Sequence, residues 1–244
     1  MPYAILSPVF TTPEQFAHTV QANGYATLRP ADVCELTHCD SASLEALKSS
    51  WNDLPLDNFL KDGGRYRRRR HSSFVVTGYE VQQTPHRAHW QPLDYNALHG
   101  GMKRLFEPIA PTIVAQPVWS QLLQAVGEVC SKTKSAQPWY VEAHQFRIDT
   151  TGGIGRPTPE GAHRDGVDFV AILLVARIGV KGGESRIFEA AGTRGQRFTL
   201  TEPWTLLLLD DERVIHESTP IQPIADSGHR DTLVLTYRAQ GFQE

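Results

Sequence analysis

From residue 139 onward the chain alternates short apolar or β-branched runs with turn residues, and this pattern constrains the fold more than any other feature. Strands are predicted over 139–148, 167–178, 184–189, 198–200, 204–209, 213–217 and 232–238, with Gly182-Gly183 and Asp210-Asp211 as turns. Strands at about ten-residue spacing with no helix between them imply an antiparallel sandwich or jelly roll. The first half reads differently. It offers a helix starting near Thr12-Pro13-Glu14 and a strand over 25–28. Two helices follow within 31–60 (Val33, Leu36; Leu44, Leu47, Trp51), then a long polar loop over 82–117 and an amphipathic helix over 119–132. The expected fold is mainly β with flanking α, as one domain over 1–244. In it, 1–135 forms helical and loop support with a lid, packed outside, and 136–244 forms the jelly-roll core that carries the site.

Within that core lies Gly161-Ala162-His163-Arg164-Asp165-Gly166, followed about fifty residues later by Val214-Ile215-His216. A His-x-acid tripeptide is weak evidence by itself, since ten His and 27 acidic residues in 244 positions make about one expected by chance. His38-Cys39-Asp40, in what reads as a short amphipathic helix, and His229-Arg230-Asp231, opening a strand, are decoys of this kind. The surroundings set His163 apart. Gly152, Gly153, Gly155, Pro157, Pro159 and Gly161 lead up to it, and the strand-like run 167–176 follows, so a turn would hold the pair at a strand edge. Two imidazoles and one carboxylate on one face of an ion leave the opposite positions open, the arrangement of non-haem Fe(II) oxygenases. A kinase catalytic loop is excluded, because no Gly-rich loop, Asp-Phe-Gly or Asn partner accompanies the tripeptide.

The densest charge is Asp62-Gly63-Gly64-Arg65-Tyr66-Arg67-Arg68-Arg69-Arg70-His71. Because Phe74-Val75-Val76 follows in strand fashion, alternate arginines should face opposite sides of a sheet. A solvated or salt-bridged face and recognition of a substrate carboxylate are both open. Nucleic acid is the weakest option, since 24 basic and 27 acidic residues with a pI near 6.4 give no general attraction to polyanions. His86, His89 and His99 lack a carboxylate at fixed spacing and are expected to be surface or hydrogen-bonding residues. Cys34, Cys39 and Cys130 show neither disulfide nor zinc spacing, so a reduced, cytoplasmic protein is expected. Residues 1–16 do not read as a leader. The longest apolar run, 169–176, is too short to cross a bilayer. A small soluble molecule is therefore the expected partner, with no nucleic acid and no membrane, and a homodimer is left open.

Taken together, His163, Asp165, His216 and the Arg230-Asp231-Thr232 segment fourteen residues beyond His216 resemble the metal ligands and Arg-x-Ser/Thr pair of the Fe(II)/2-oxoglutarate dioxygenases. Gly182-Gly183-Glu184 falls where such proteins often have a hairpin. Gly64-Arg65-Tyr66-Arg67-Arg68, Asn96, His99-Gly100-Gly101-Met102-Lys103-Arg104 and His144-Gln145-Phe146-Arg147 extend the likeness over nearly the whole chain. They resemble the bacterial hydroxylases of free L-amino acids, the isoleucine dioxygenase type. The resemblance implies a double-stranded β-helix (jelly-roll or cupin-like) core, Fe(II) as cofactor, 2-oxoglutarate and O₂ as co-substrates, and hydroxylation or sulfoxidation of a free aliphatic L-amino acid such as isoleucine, leucine or methionine. It further implies His163, Asp165 and His216 as metal and catalytic residues, and Arg230, Thr232 and Gln145 as 2-oxoglutarate contacts. The substrate contacts it suggests are Arg67, Asn96, Arg147, Arg164, Asp168 and Phe169. Asp165 implies hydroxylation rather than halogenation, since the halogenating relatives carry a small residue there. The alternatives are the same chemistry on an amino-acid derivative or a protein side chain, and a non-catalytic cupin-like metal-binding protein.

Overall fold

The computed structural model describes residues 5–95, 98 and 100–244. In chain order these form α1 (Phe16–Asn23), β1 (Tyr25–Leu28), α2 (Pro30–Thr37), α3 (Ser41–Leu47), a 3₁₀ turn (Lys48–Asp53), β2 (Arg67–Thr77), β3 (Glu80–Gln83), α4 (Pro111–Val114) and α5 (Pro117–Thr133). The strands β4 (Trp139–Asp149), β5 (Phe169–Ile178), β6 (Val180–Gly182), β7 (Ser185–Glu189), β8 (Gly195–Phe198), β9 (Leu206–Asp210), β10 (Val214–Ser218), β11 (Ile221–Pro223) and β12 (His229–Arg238) complete it. No helix among the described residues is long and apolar enough to cross a membrane.

Seven strands form one antiparallel sheet in the order β1-β9-β5-β12-β4-β2-β3, faced by a three-stranded sheet β10-β7-β8 and a small pair β11-β6. This is the expected mainly-β double-stranded β-helix with helices outside. The large sheet is covered on both faces, which explains why its central strands read as unbroken apolar runs. In β9, Leu206 and Leu208 pack into the core under the helices while Leu207 and Leu209 join the cluster with Val170, Leu174 and Ile187 on the inner side. The helical layer is anchored by buried aromatics. The Trp139 ring meets those of Phe169 and Tyr237 edge-on at 5.7 and 6.4 Å, and the Tyr237 hydroxyl donates to the Leu123 carbonyl of α5 at 3.0 Å. Trp51 does a second job. Its indole N–H donates to the carbonyls of Phe146 (3.1 Å) and Thr232 (3.3 Å), tying the 3₁₀ turn to the two strands whose inner faces line the site.

Several expectations shift. The supposed division at 135/136 does not separate support from core, because β1, β2 and β3 of the first half complete the large sheet. His38-Cys39-Asp40 lies between two helices rather than inside one: His38 takes a left-handed conformation (φ 53°) and the Asp40 carboxylate caps α3 through the Ser43 N–H at 2.7 Å. The strand expected over 198–200 is instead β8, 195–198; beyond it Thr199 leaves the sheet to bond its N–H to the Leu6 carbonyl at 2.8 Å.

Candidate metal centre and active site

The segment between β4 and β5 joins the small sheet at an isolated backbone bridge that pairs His163 with His216 of β10. Each donates its N–H to the other's carbonyl, at 3.0 and 2.9 Å, so the two imidazoles sit side by side with ring centroids 4.7 Å apart. His163 Nδ1 lies 3.0 Å from the Gly161 carbonyl. A carbonyl only accepts, so a proton sits on Nδ1 and Nε2 is the nitrogen that faces the interior, where an ion could take it. Asp165 completes the set. Its Oδ1 is 3.7 Å from His163 Nε2 and its Oδ2 3.7 Å from His216 Nε2.

The loop that presents Asp165 is held from beneath by the carboxylate of Asp211, which accepts the N–H groups of Asp165 (3.0 Å), Gly166 (2.8 Å) and Val167 (3.1 Å). Burial and the neighbouring Asp165 charge push the Asp211 carboxyl up to about 7, against the pull of those three donors. Gly166 is required there: its φ is +75°, and a Cβ would stand 2.5 Å from the Tyr95 ring. From above, the Gln91 amide donates to Asp165 Oδ1 at 3.0 Å, and the Gln243 amide donates to the carbonyls of Asp165 (3.2 Å) and Gly166 (2.8 Å).

The electrostatics of the triad fit a cation. Burial opposes protonation of His163, yet the carboxylates of Asp165 and Glu160 and the Gly161 carbonyl raise it to about 10. Burial, and then the His163 charge, push His216 down to about 4. The two rings compete for a single positive charge beside a carboxylate held well below its usual range by them, despite burial. An ion bound by both Nε2 atoms and Asp165 supplies that charge to all three, and two nitrogens with one oxygen suit Fe(II).

A second group, His71, His89, Glu142 and His144, also brings metal-ligating atoms within 4.8 Å of one another, the same span as the triad. Its donors are already engaged. Glu142 Oε2 is 2.9 Å from His89 Nδ1 and Oε1 3.3 Å from His71 Nε2, while an Arg69 N–H donates to His144 Nδ1 at 2.9 Å. A guanidinium on a would-be ligand atom opposes a cation. Burial lowers the pKa of all three imidazoles, with His89 at about 4, so they are held neutral and form a hydrogen-bonded wall.

Both groups border a cavity of about 130 Å³. Strand alternation decides what else lines it. Arg230 and Thr232 of β12 face inward, as expected for a clamp on the far carboxylate of 2-oxoglutarate. Arg230 is 5% exposed and, among the described residues, its Nε has no hydrogen-bond partner, so an anion there would satisfy a buried donor. Arg67 of β2 also faces inward, bonded through Nε to Asp57 at 2.7 Å.

Five other candidates fall outside the cavity lining. Gln145 and Arg147 lie on the opposite face of β4 from His144 and Phe146: the Gln145 amide donates to Ser50 Oγ at 2.7 Å, and Arg147 pairs with Asp231 at 2.7 Å. Arg164 turns away to donate to the Asp211 carbonyl. Asp168 pairs with Lys134 and accepts the Ala239 N–H. Phe169 points into the helical core, and its neighbour Val170 lines the cavity instead. Asn96 and His99 lie outside the described residues.

Sequence reasoning gave no site role to Arg69, Gln91, Arg104, Glu142, His144 and Glu160, all in the cavity wall, where His89, expected as a surface or hydrogen-bonding residue, is bonded to Glu142. Alternation from Arg67 could have found Arg69. His89, Gln91 and Arg104 are brought in by the 82–117 loop, where His89 and Arg104 pair backbone to backbone at 3.0 and 2.9 Å, while Glu142 and His144 alternate along β4.

The sequence pattern of a family described as 2OG-Fe dioxygenase matches residues 48–236. Among solved structures, the chain is similar to a bsmA homolog from Methylobium petroleophilum PM1, at 51% identity over 98% of this chain and 97% of that one, with a TM-score of 0.93. It is also similar to IDO from Bacillus thuringiensis (17% identity, 97% and 100% covered, TM-score 0.76). The Fe(II)/(alpha)ketoglutarate-dependent dioxygenase TqaL is a further match (18% identity, 93% and 86% covered, TM-score 0.72). The last two likenesses speak to the fold alone. No curated protein sequence matches.

Proposed function

Because the chain belongs to the 2OG-Fe dioxygenase family, we propose that it hydroxylates, or oxidises at sulfur, a free aliphatic L-amino acid such as isoleucine, leucine or methionine, releasing succinate and CO₂. Bound at His163, Asp165 and His216, Fe(II) supplies activation of O₂ coupled to decarboxylation of 2-oxoglutarate. The protein's part is to bind, orient and exclude water. Arg230 and Thr232 hold the distal carboxylate of the oxo acid through charge-assisted hydrogen bonds. Gln91 and Asp211 keep Asp165 aimed at the ion, the supporting role that outer hydrogen bonds play around metal ligands.

The observation that carries the substrate reading is the make-up of the cavity wall. Val170, Ile172, Leu207 and Val234 provide a dry aliphatic surface beside the triad, while buried polar side chains of β2, β4 and the 82–117 loop close the other side. An aliphatic chain with a charged end matches that division. The test is succinate release by the Fe(II)-loaded protein in a screen of free amino acids against short peptides carrying the same side chains. Turnover of the free amino acids, lost in Arg230→Ala, is the expected result. Turnover confined to peptides would overturn the reading.

A further inference from the structure

Resting on that reading of the cavity, we propose that Arg69 and Arg104 form a carboxylate-binding subsite that holds the acid end of the substrate, leaving its hydrocarbon end to the aliphatic wall near the triad. The enzyme's substrates are then small acids with a free carboxylate, and amides or esters of the same acids are excluded.

Three guanidiniums line this side of the cavity, and only one has a carboxylate partner. Arg67 is bonded to Asp57. Among the described residues, Arg69 and Arg104 take part in no ion pair, although they are only 4% and 2% exposed. Two nearby acids are already engaged: Asp57 by Arg67, and Glu142 by His71, His89 and Arg87. A third, Glu160, lies 3.6 Å from His163 Nε2 through Oε1 and makes no ion pair with either arginine, although its Oε2 has no hydrogen-bond partner among the described residues.

Each guanidinium is held in place, and among the described residues each keeps a buried Nε–H without an acceptor. Arg69 lies against the rings of Phe106 and Phe146, at 4.0 and 4.6 Å, so its faces are covered and only its edges can donate. One edge is taken by His144 Nδ1 at 2.9 Å, and Nε has no partner. Arg104 donates from Nη2 to the Gln91 side-chain oxygen at 2.9 Å, and its Nε is likewise without a partner. Burial, and then each other's charge and that of Arg67, depress the pKa of Arg69, and burial with Arg67 depresses that of Arg104 to about 10. Buried like charges with open donors are costly in an empty site and become favourable once an anion joins them.

A planar carboxylate is the anion that edge donors of two guanidiniums suit. The co-substrate's acid groups are accounted for by Arg230 and the metal, so this pair is left for a different acid. A doubly charged anion such as phosphate would meet Glu142 and Glu160 in the same cavity wall.

The test is anaerobic titration calorimetry of the Fe(II)- and 2-oxoglutarate-loaded protein with L-leucine, 4-methylpentanoate and L-leucinamide, in wild type, Arg69→Met and Arg104→Met. We expect an acid to bind wild type about 30-fold or more tightly than the amide, and each variant to lose a comparable factor. Removing an unpaired buried charge should leave the ligand-free melting temperature of each variant no lower than that of wild type. Binding of 4-methylpentanoate without any amino acid would keep the subsite and remove the amino-acid reading. Equal binding of acid and amide by wild type, undiminished acid binding in both variants, or no carboxylate binding at all would overturn the subsite. So would a lowered melting temperature in both variants, which would make the arginines structural.

Discussion

The His163, Asp165, His216 group and the His71, His89, Glu142, His144 group have nearly the same composition and lie on the same cavity, yet they are built to opposite ends. In the first, each imidazole Nε2 stands 3.7 Å from an oxygen of the one carboxylate, and the two rings compete for a single positive charge. In the second, the carboxylate is already engaged by two imidazoles and by Arg87, and the Arg69 guanidinium occupies His144. Burial works against the Glu142 anion, but His89 and His71 outweigh it and hold the carboxyl well below its usual range. The lesson is that metal-ligating atom types in proximity are insufficient. What distinguishes the triad is that both of its Nε2 atoms and the Asp165 oxygens stand 3.7 Å from the ligand atoms they face, leaving room for an ion between them.

The sharpest way to break this comparison is to count iron. Wild type and Glu142→Ala are expected to bind one Fe(II) per chain by elemental analysis, and Asp165→Ala none, with succinate release at background. A second iron in wild type that disappears in Glu142→Ala would show that the two groups are alike after all.

Next in size is stability. Glu142→Ala strips the partner from two buried imidazoles and is expected to cost about 3 kcal/mol in urea unfolding, within the range for breaking a buried pair. A cost near zero would mean that the wall is not held by Glu142.

The same wall should make the fold acid-labile. The His89 pKa is depressed from 6.5 to about 4, so its contribution is fully present above pH 6.5 and is lost as the pH falls toward 4, where the unfolded chain binds a proton that the folded one refuses. The loss is on the order of 3 kcal/mol. His89→Gln should flatten the urea midpoint against pH over that window; an unchanged slope would count against a buried neutral His89.

The smallest expected effect is on the loop beneath Asp165. Asp211→Ala should leave the fold standing but weaken Fe(II) binding by about 10- to 100-fold, the usual cost of losing support behind a metal ligand. Competition with a metal-binding dye measures it, and wild-type affinity would show that the loop holds its shape unaided.

How far the site could be read in advance depended on whether the relevant residues were neighbours in sequence. His163 and Asp165 were legible because a turn and a strand bracket them, and Arg230 with Thr232 because alternation puts them on one face. Gln145 and Arg147 failed by the same rule. They share a face with each other but not with His144, and nothing local says which face of β4 is inward. Phe169 failed by one residue, where a strand apolar on both sides gives no phase.

The chain by itself determined the mainly-β class, the outer helices, the triad and the inward-facing pair Arg230 and Thr232, because each is written in local periodicity or fixed spacing. Tertiary structure alone decided that Arg69, Arg104, Gln91 and Glu142 belong to that same cavity. Those residues are brought in by β2 pairing with β4 and by the 82–117 loop folding back through His89 and Arg104. Their lack or possession of a charge partner, the property that gives each its role, exists only once distant segments are packed and water is gone.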